Sequence, residues 1–260
     1  MPTSYIPTFI SLISVILGFF GIKHTIYGEY NIVFIIIITM CIVDFLDGFI
    51  ARKLKAVSVF GGQVDSLCDA FAFGIFPAIC SYLWLLSDLR SVGIILCGLI
   101  VCALIFRLAR YNALQILNVK EYKGVNLEKY FVGIPAPMFG FLIILPIALF
   151  ATLEINLCTQ YLETEMCHYS VGYLIGLYPF RVALSLYYLI ICYLGISTIP
   201  IIALKSIPQR TIKKVSAVLI PAMIAMLYMY GITEFVLTLG LVMLIYIMLS
   251  MWNSFLLKKI

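Results

Sequence analysis

Four aspartates stand in a stretch that otherwise avoids charge. Asp44, Asp47, Asp65 and Asp69 fall within DFLDGFIARKLKAVSVFGGQVDSLCD, residues 44–69, and nine of the ten residues before Asp44 are apolar. Their spacings are three and four residues, so on helices each pair lies along one face. Gly48 and Ala51 share the face of Asp44 and Asp47, and Gly61 continues the stripe of Asp65 and Asp69. Carboxylates over small residues let a bulky ligand approach the helix backbone.

Each carboxylate placed in a membrane-like setting costs at least about 2.5–3.5 kcal/mol. The neighbouring Arg52 and Lys55 are too few to neutralise four. A single Asp–Arg pair would be an ordinary tie between two helices. Four converging carboxylates instead favour a site for a hard divalent cation, Mg²⁺ or Mn²⁺, which take oxygen ligands. Magnesium keeps some of its waters and commonly bridges to phosphate groups.

The elements that position these residues follow from composition. Of the 260 residues, 64% are hydrophobic and 11% are charged, against about 25% charged in a soluble domain. Such a chain cannot cover a water-facing surface, and its apolar runs are too long for barrel strands. The expected fold is all-α, a polytopic transmembrane helix bundle. Eight spans are predicted, at 7–28, 31–53, 62–86, 91–116, 130–152, 178–203, 212–231 and 233–257. Each is long enough to cross about 30 Å of hydrocarbon at 1.5 Å per residue. The opening MPTSYIPTFISLISVILGFFGIKH lacks a basic leader region and a small-x-small cleavage site, so it reads as a retained first span.

The basic residues orient the bundle. With the N-terminus inside, 14 of the 17 Lys and Arg fall on the inner side, leaving Lys23, Arg90 and Arg181 outside. Both termini and all four aspartates are then expected at the cytoplasmic edge of the membrane. The net charge of +5 reflects this orientation and contact with anionic lipid heads of the bilayer, not nucleic acid. The only histidines, His24 and His168, fall on the outer side, which argues against histidine chemistry at an inner site. Six of the eight cysteines lie in spans as small packing residues. Cys158 and Cys167 share an outer loop, where a disulfide and two free thiols are both open readings.

As a whole, the stretch reads Asp44-x2-Asp47-Gly48-x2-Ala51-Arg52-x8-Gly61-x3-Asp65-x3-Asp69. It resembles, position for position, the signature of the CDP-alcohol phosphatidyltransferase family. Three further stretches are similar to motifs of that family's serine-accepting members, the phosphatidylserine synthases. They are Arg107-Leu-Ala-Arg110-Tyr-Asn112, Phe131-Val-Gly133-Ile-Pro135-Ala-Pro137, and Ser197-Thr-Ile-Pro200 with Lys205. The likeness runs over about residues 5–205, implying a six-span core at 1–205 and a C-terminal helical pair at 206–260. Where the family often opens Pro-Asn-x-x-Thr, this chain has Pro7-Thr8-Phe9-Ile10-Ser11, so no nucleotide contact is assigned to Thr8. Met138 and Phe139 stand where the subfamily tends to small residues.

The resemblance implies transfer of a phosphatidyl group from CDP-diacylglycerol to L-serine, releasing CMP. It implies two divalent ions, Mg²⁺ or Mn²⁺, on Asp44, Asp47, Asp65 and Asp69, with Asp69 also the catalytic base. Gly48, Ala51, Arg52 and Gly61 would face the nucleotide and phosphates. Arg107, Arg110, Asn112 and Lys205 would face the acceptor, and a homodimer would be the assembly. Glycerol phosphate, inositol phosphate and choline remain alternative acceptors. An aromatic prenyltransferase would separate its two acidic motifs by about a hundred residues, on non-adjacent helices. A cation transporter would place its carboxylates at the bilayer midplane, on broken helices.

Overall fold

The computed structural model describes residues 5–56, 58–117, 119, 121–122, 125–127, 130–160, 178–202 and 231–257. Seven helices among these residues are long and apolar enough to cross a membrane. In chain order, α1 is Ile6–Ile26, α2 is Tyr30–Lys53, α3 is Val59–Leu89 and α4 is Ser91–Ile116. Then come the strands β1 (Glu121–Tyr122), β2 (Val125–Asn126) and β3 (Tyr130–Val132), helices α5 (Ala136–Gln160) and α6 (Tyr178–Ile196), strand β4 (Pro200–Ile202), and α7 (Ile232–Leu257). The expected span at 212–231 falls almost wholly outside the described residues.

Helix α1 shows what solvent does to a helix face. Its buried residues are Pro7, Ser11, Ser14, Gly18, Gly21 and Thr25, an alternation of four and three that forms one stripe. Phe9, Ile13, Ile16, Phe19 and Phe20 point outward. In water this would be inverted. In lipid, apolar burial drives no helix pairing, and small residues win the interface because they let helices approach. A Cβ at Gly18 would stand 2.3 Å from the Phe71 ring, and one at Gly21 would stand 2.5 Å from Phe76. That stripe seats α1 against both α2 and α3.

The turn between α2 and α3 places the two aspartate pairs. Helix α2 ends on a Schellman turn, in which the Ala56 N–H donates to the Ala51 carbonyl at 2.9 Å and Lys55 takes φ +53°. Ser58 caps α3, accepting from the Gly61 N–H at 3.0 Å. Immediately after Asp69 the helix widens into a π-helical segment, Ala70–Ile75, and again at Tyr82–Leu86. Phe73 and Phe76 thereby enter the core with Phe34, Ile37 and Met40 of α2, Ile100 and Leu104 of α4, and Phe139 of α5.

Two boundaries depart from the sequence expectation. The fifth helix starts at Ala136, not 130, and the sixth ends at Ile196, not 203. Tyr130–Val132 and Pro200–Ile202 pair instead as antiparallel strands, with Phe131 opposite Ile201. Pro135 and Pro200 disfavour helix in the residues before them, and Gly133 at φ +82° turns the chain between strand and helix. Within α5, Pro146 has no N–H to offer the Leu142 carbonyl. The Tyr187 hydroxyl of α6 donates to that oxygen at 2.6 Å, restoring the bond that a membrane interior cannot leave unmade. Helix α7 packs on α5, α2 and β4, and a Cβ at its Gly240 would stand 2.3 Å from Leu145 of α5.

Candidate active site

The carboxylates of Asp44, Asp47 and Asp65 converge, each offering one oxygen within 4.8 Å of the others. Asp69 completes the group: its side chain lies against Asp44, as that of Asp65 lies against Asp47. All four therefore meet at one end of the bundle, two from the last turns of α2 and two from the first turns of α3. Asp47 is the most enclosed, at 5% exposure. Its Oδ2 accepts a 2.5 Å hydrogen bond from the Ser11 hydroxyl of α1.

None of the four forms an ion pair with Lys or Arg among the described residues, whose ion pairs are His24–Glu29 and Arg181–Asp88. Arg107 faces Asp69 and Asp44 from α4 without pairing to either. Three acidic groups this close, offering only hard oxygens and lacking a paired cation, fit a divalent metal ion by their donor chemistry. The described site holds no histidine and no thiolate pair. His24 is bound to Glu29 at the opposite end of the bundle, and His168 lies outside the described residues.

The remaining predicted site residues separate into groups. Arg52 is exposed and faces Asp47; its guanidinium lies over Gly48, where a Cβ would stand 3.4 Å from Nη1. Ala51 is half-buried one turn beyond Asp47. At Gly61 a Cβ would meet the Ser58 hydroxyl at 3.0 Å and the Thr8 hydroxyl at 3.5 Å, so hydroxyls line that edge. Arg107 is 8% exposed, its Nε has no hydrogen-bond partner, and its guanidinium carbon lies 5.6 Å from the centre of the Tyr111 ring. It is a buried cation with donor capacity left, directed toward the carboxylates. Lys205 lies outside the described residues, as does Cys167 of the disulfide considered above.

Arg110 has a different employment. Its Nη1 donates to the Ile196 carbonyl at 2.5 Å, and its Nη2 to Val132 at 3.1 Å and Ser197 at 3.0 Å. The Gly133 N–H donates to Ile199 at 3.1 Å alongside. The guanidinium thus joins the three stretches around Arg107, Gly133 and Ser197 into one node. Asn112 is tied to α3: the Ser66 hydroxyl donates to its Oδ1 at 3.1 Å, and its Nδ2 donates to Gln63 Oε1 at 3.3 Å. Gln63 and Ser66 flank Asp65 and brace the helix that carries it.

Sequence reasoning missed Ser11, Gln63 and Ser66. For Ser11 a signal existed, the run of small and hydroxyl residues at alternating spacings of four and three along α1. For Gln63 and Ser66 none did, since their partner Asn112 is 46 residues or more away.

Fold and site together define a polytopic helical membrane protein with an acidic, hard-oxygen centre at one end of its bundle. A family model, CDP-alcohol phosphatidyltransferase, matches residues 4–171, and the chain belongs to that family. It is 36% identical over 132 residues to a Mycobacterium bovis protein named CDP-diacylglycerol–serine O-phosphatidyltransferase, covering 51% of this chain and 45% of that one. A Bacillus subtilis protein of the same name is 31% identical over 142 residues, 55% of this chain and 75% of the relative. An archaetidylserine synthase of Methanothermobacter thermautotrophicus is 34% identical over 140 residues, covering 52% and 55%. The chain thus spans under half the length of the mycobacterial relative.

Proposed function

We propose that this protein transfers the phosphatidyl group of CDP-diacylglycerol to the hydroxyl of L-serine, giving phosphatidylserine and CMP, at the inner face of a bacterial cytoplasmic membrane. The observation that carries the reading is the convergence of Asp44, Asp47 and Asp65, with Asp69 against Asp44, at one end of the bundle. Relatives whose names specify serine support the choice of acceptor.

In this reading the serine oxygen attacks the β-phosphorus of the lipid nucleotide. The bond from that phosphorus to the bridging oxygen breaks, and CMP leaves with the electron pair. Asp44, Asp47 and Asp65, with Asp69 shared, would hold divalent ions, Mg²⁺ or Mn²⁺. When bound, these supply charge neutralisation at the pyrophosphate. Asp69 takes the proton of the serine hydroxyl, a weak nucleophile that needs a positioned base. Arg107, buried beside Asp69 with an unpartnered Nε, would receive the acceptor's carboxylate through the planar fork that suits it. Arg110 serves the same pocket by holding the backbone of its three stretches together, and Asn112 by bracing α3. The small faces at Gly48, Ala51 and Gly61 leave room for the nucleotide, with Arg52 beside its phosphates. Lys205 remains an acceptor-side residue of this proposal.

The test is acceptor competition. Membranes containing the protein receive CDP-diacylglycerol, Mg²⁺ or Mn²⁺, and labelled serine, glycerol phosphate or inositol phosphate. Serine-dependent CMP release with label in lipid is expected. Label entering lipid from another acceptor would keep the chemistry and change the substrate, whereas no CMP with any acceptor would overturn the reading.

A further inference from the structure

Of the four carboxylates, Asp47 is the one gripped from a third helix. The Ser11 hydroxyl on α1 reaches its Oδ2 at 2.5 Å across 36 residues of sequence. That hydroxyl has a second acceptor within range, the Pro7 carbonyl at 3.2 Å, but only one proton. The shorter contact to an ionised oxygen is the stronger. Ser11 is 3% exposed, so the contact is shielded from bulk water. Its own backbone is held in turn, because the Ser14 hydroxyl donates to the Ser11 carbonyl at 2.6 Å. Asp47 is thus held from α1 by Oδ2 while its carboxylate offers an oxygen within 4.8 Å of those of Asp44 and Asp65.

From this geometry we infer that Ser11 is a positioning residue for the metal centre, fixing the rotamer of Asp47 at the aspartate cluster. The inference rests on the divalent-metal reading of the aspartate cluster. Its physical basis is general: groups that hydrogen-bond a metal-ligating carboxylate set its orientation, and losing one costs about 10–100-fold in affinity. It also gives α1 a function its composition hides. The small-residue stripe that lets α1 approach α2 brings the Ser11 hydroxyl within reach of Asp47. A bulkier face would hold the helices apart and leave Asp47 free to rotate.

The experiment is Mn²⁺ binding to the detergent-purified full chain, read from the free-Mn²⁺ electron paramagnetic resonance signal without any substrate. Ser11→Ala is expected to weaken Mn²⁺ binding about 10-fold or more. Thr25→Val is expected to leave it unchanged, although Thr25 is also a buried hydroxyl on the same stripe, at the far end of α1. Ser11→Thr and Ser11→Val form a second pair of the same shape, with a hydroxyl in one where the other has a methyl; the first is expected to bind tighter than the second. Equal Mn²⁺ affinity in wild type and Ser11→Ala would overturn the inference, as would equal affinity in the Thr and Val variants should Ser11→Ala not fold. No Mn²⁺ binding by wild type would instead overturn the metal reading beneath it.

Discussion

Gly133→Ala tests whether the Arg110 node is as constrained as its geometry implies. Gly133 has φ +82°, a region that costs a residue with a Cβ about 1–2 kcal/mol. The added methyl would stand 2.9 Å from Arg110 Nη2, 2.9 Å from the Gly195 carbonyl oxygen and 3.1 Å from that of Ser197. Two of these neighbours are backbone, belonging to the end of α6, so the guanidinium must yield. Displacing Nη2 breaks its bonds to Val132 and Ser197. A hydrogen bond to a charged group contributes about 1.5–3 kcal/mol. Counting one of these two bonds as lost in full, plus the backbone term, gives about 2.5–5 kcal/mol, or a fall in melting temperature on the order of 10 °C. The assay is thermal unfolding of the purified protein in detergent, followed by size-exclusion fluorescence. Gly98→Ala is the control. No atom lies within 4 Å of a Cβ there, and the helix interior gains about 0.5–1 kcal/mol from alanine. A Gly133→Ala protein melting within about 2 °C of wild type would refute the reasoning, because the node would then have slack the distances deny.

Asp69→Asn keeps the shape of the side chain and removes its basicity. It is expected to abolish CMP release while a labelled CDP-lipid still binds, and retained turnover would remove Asp69 from the base role. Tyr187→Phe should lower stability by about 1–3 kcal/mol, since it orphans the Leu142 carbonyl that Pro146 cannot bond. In that variant turnover per folded molecule should be unchanged, and an unshifted melting temperature would show that the oxygen finds another donor.

Much of this protein was legible in order of residues alone. Composition required helices, because a chain with so little charge cannot face water and lipid leaves no backbone group unbonded. The three- and four-residue spacings put each aspartate pair on one helix face, and the short link between α2 and α3 brought the pairs together. Pro135, Pro137 and Pro200 mark places where helix is disfavoured, but the strands themselves were not legible. Tyr130–Val132 and Pro200–Ile202 are apolar enough for a span, and their pairing across about 70 intervening residues makes them strands.

Tertiary structure decided which side chain serves which purpose. Arg107 and Arg110 look alike in sequence, three apart on one helix. Folding leaves the first buried with an unpartnered Nε beside Asp69 and binds the second to three backbone carbonyls. Ser11 carried no distinguishing mark beyond its place in a stripe of small residues, yet it is the group that holds Asp47. The physical reason is the same in each case. Local spacing determines which face a residue occupies, but a hydrogen bond has a reach of about 3 Å. Which partner comes within that reach is set only when distant helices pack.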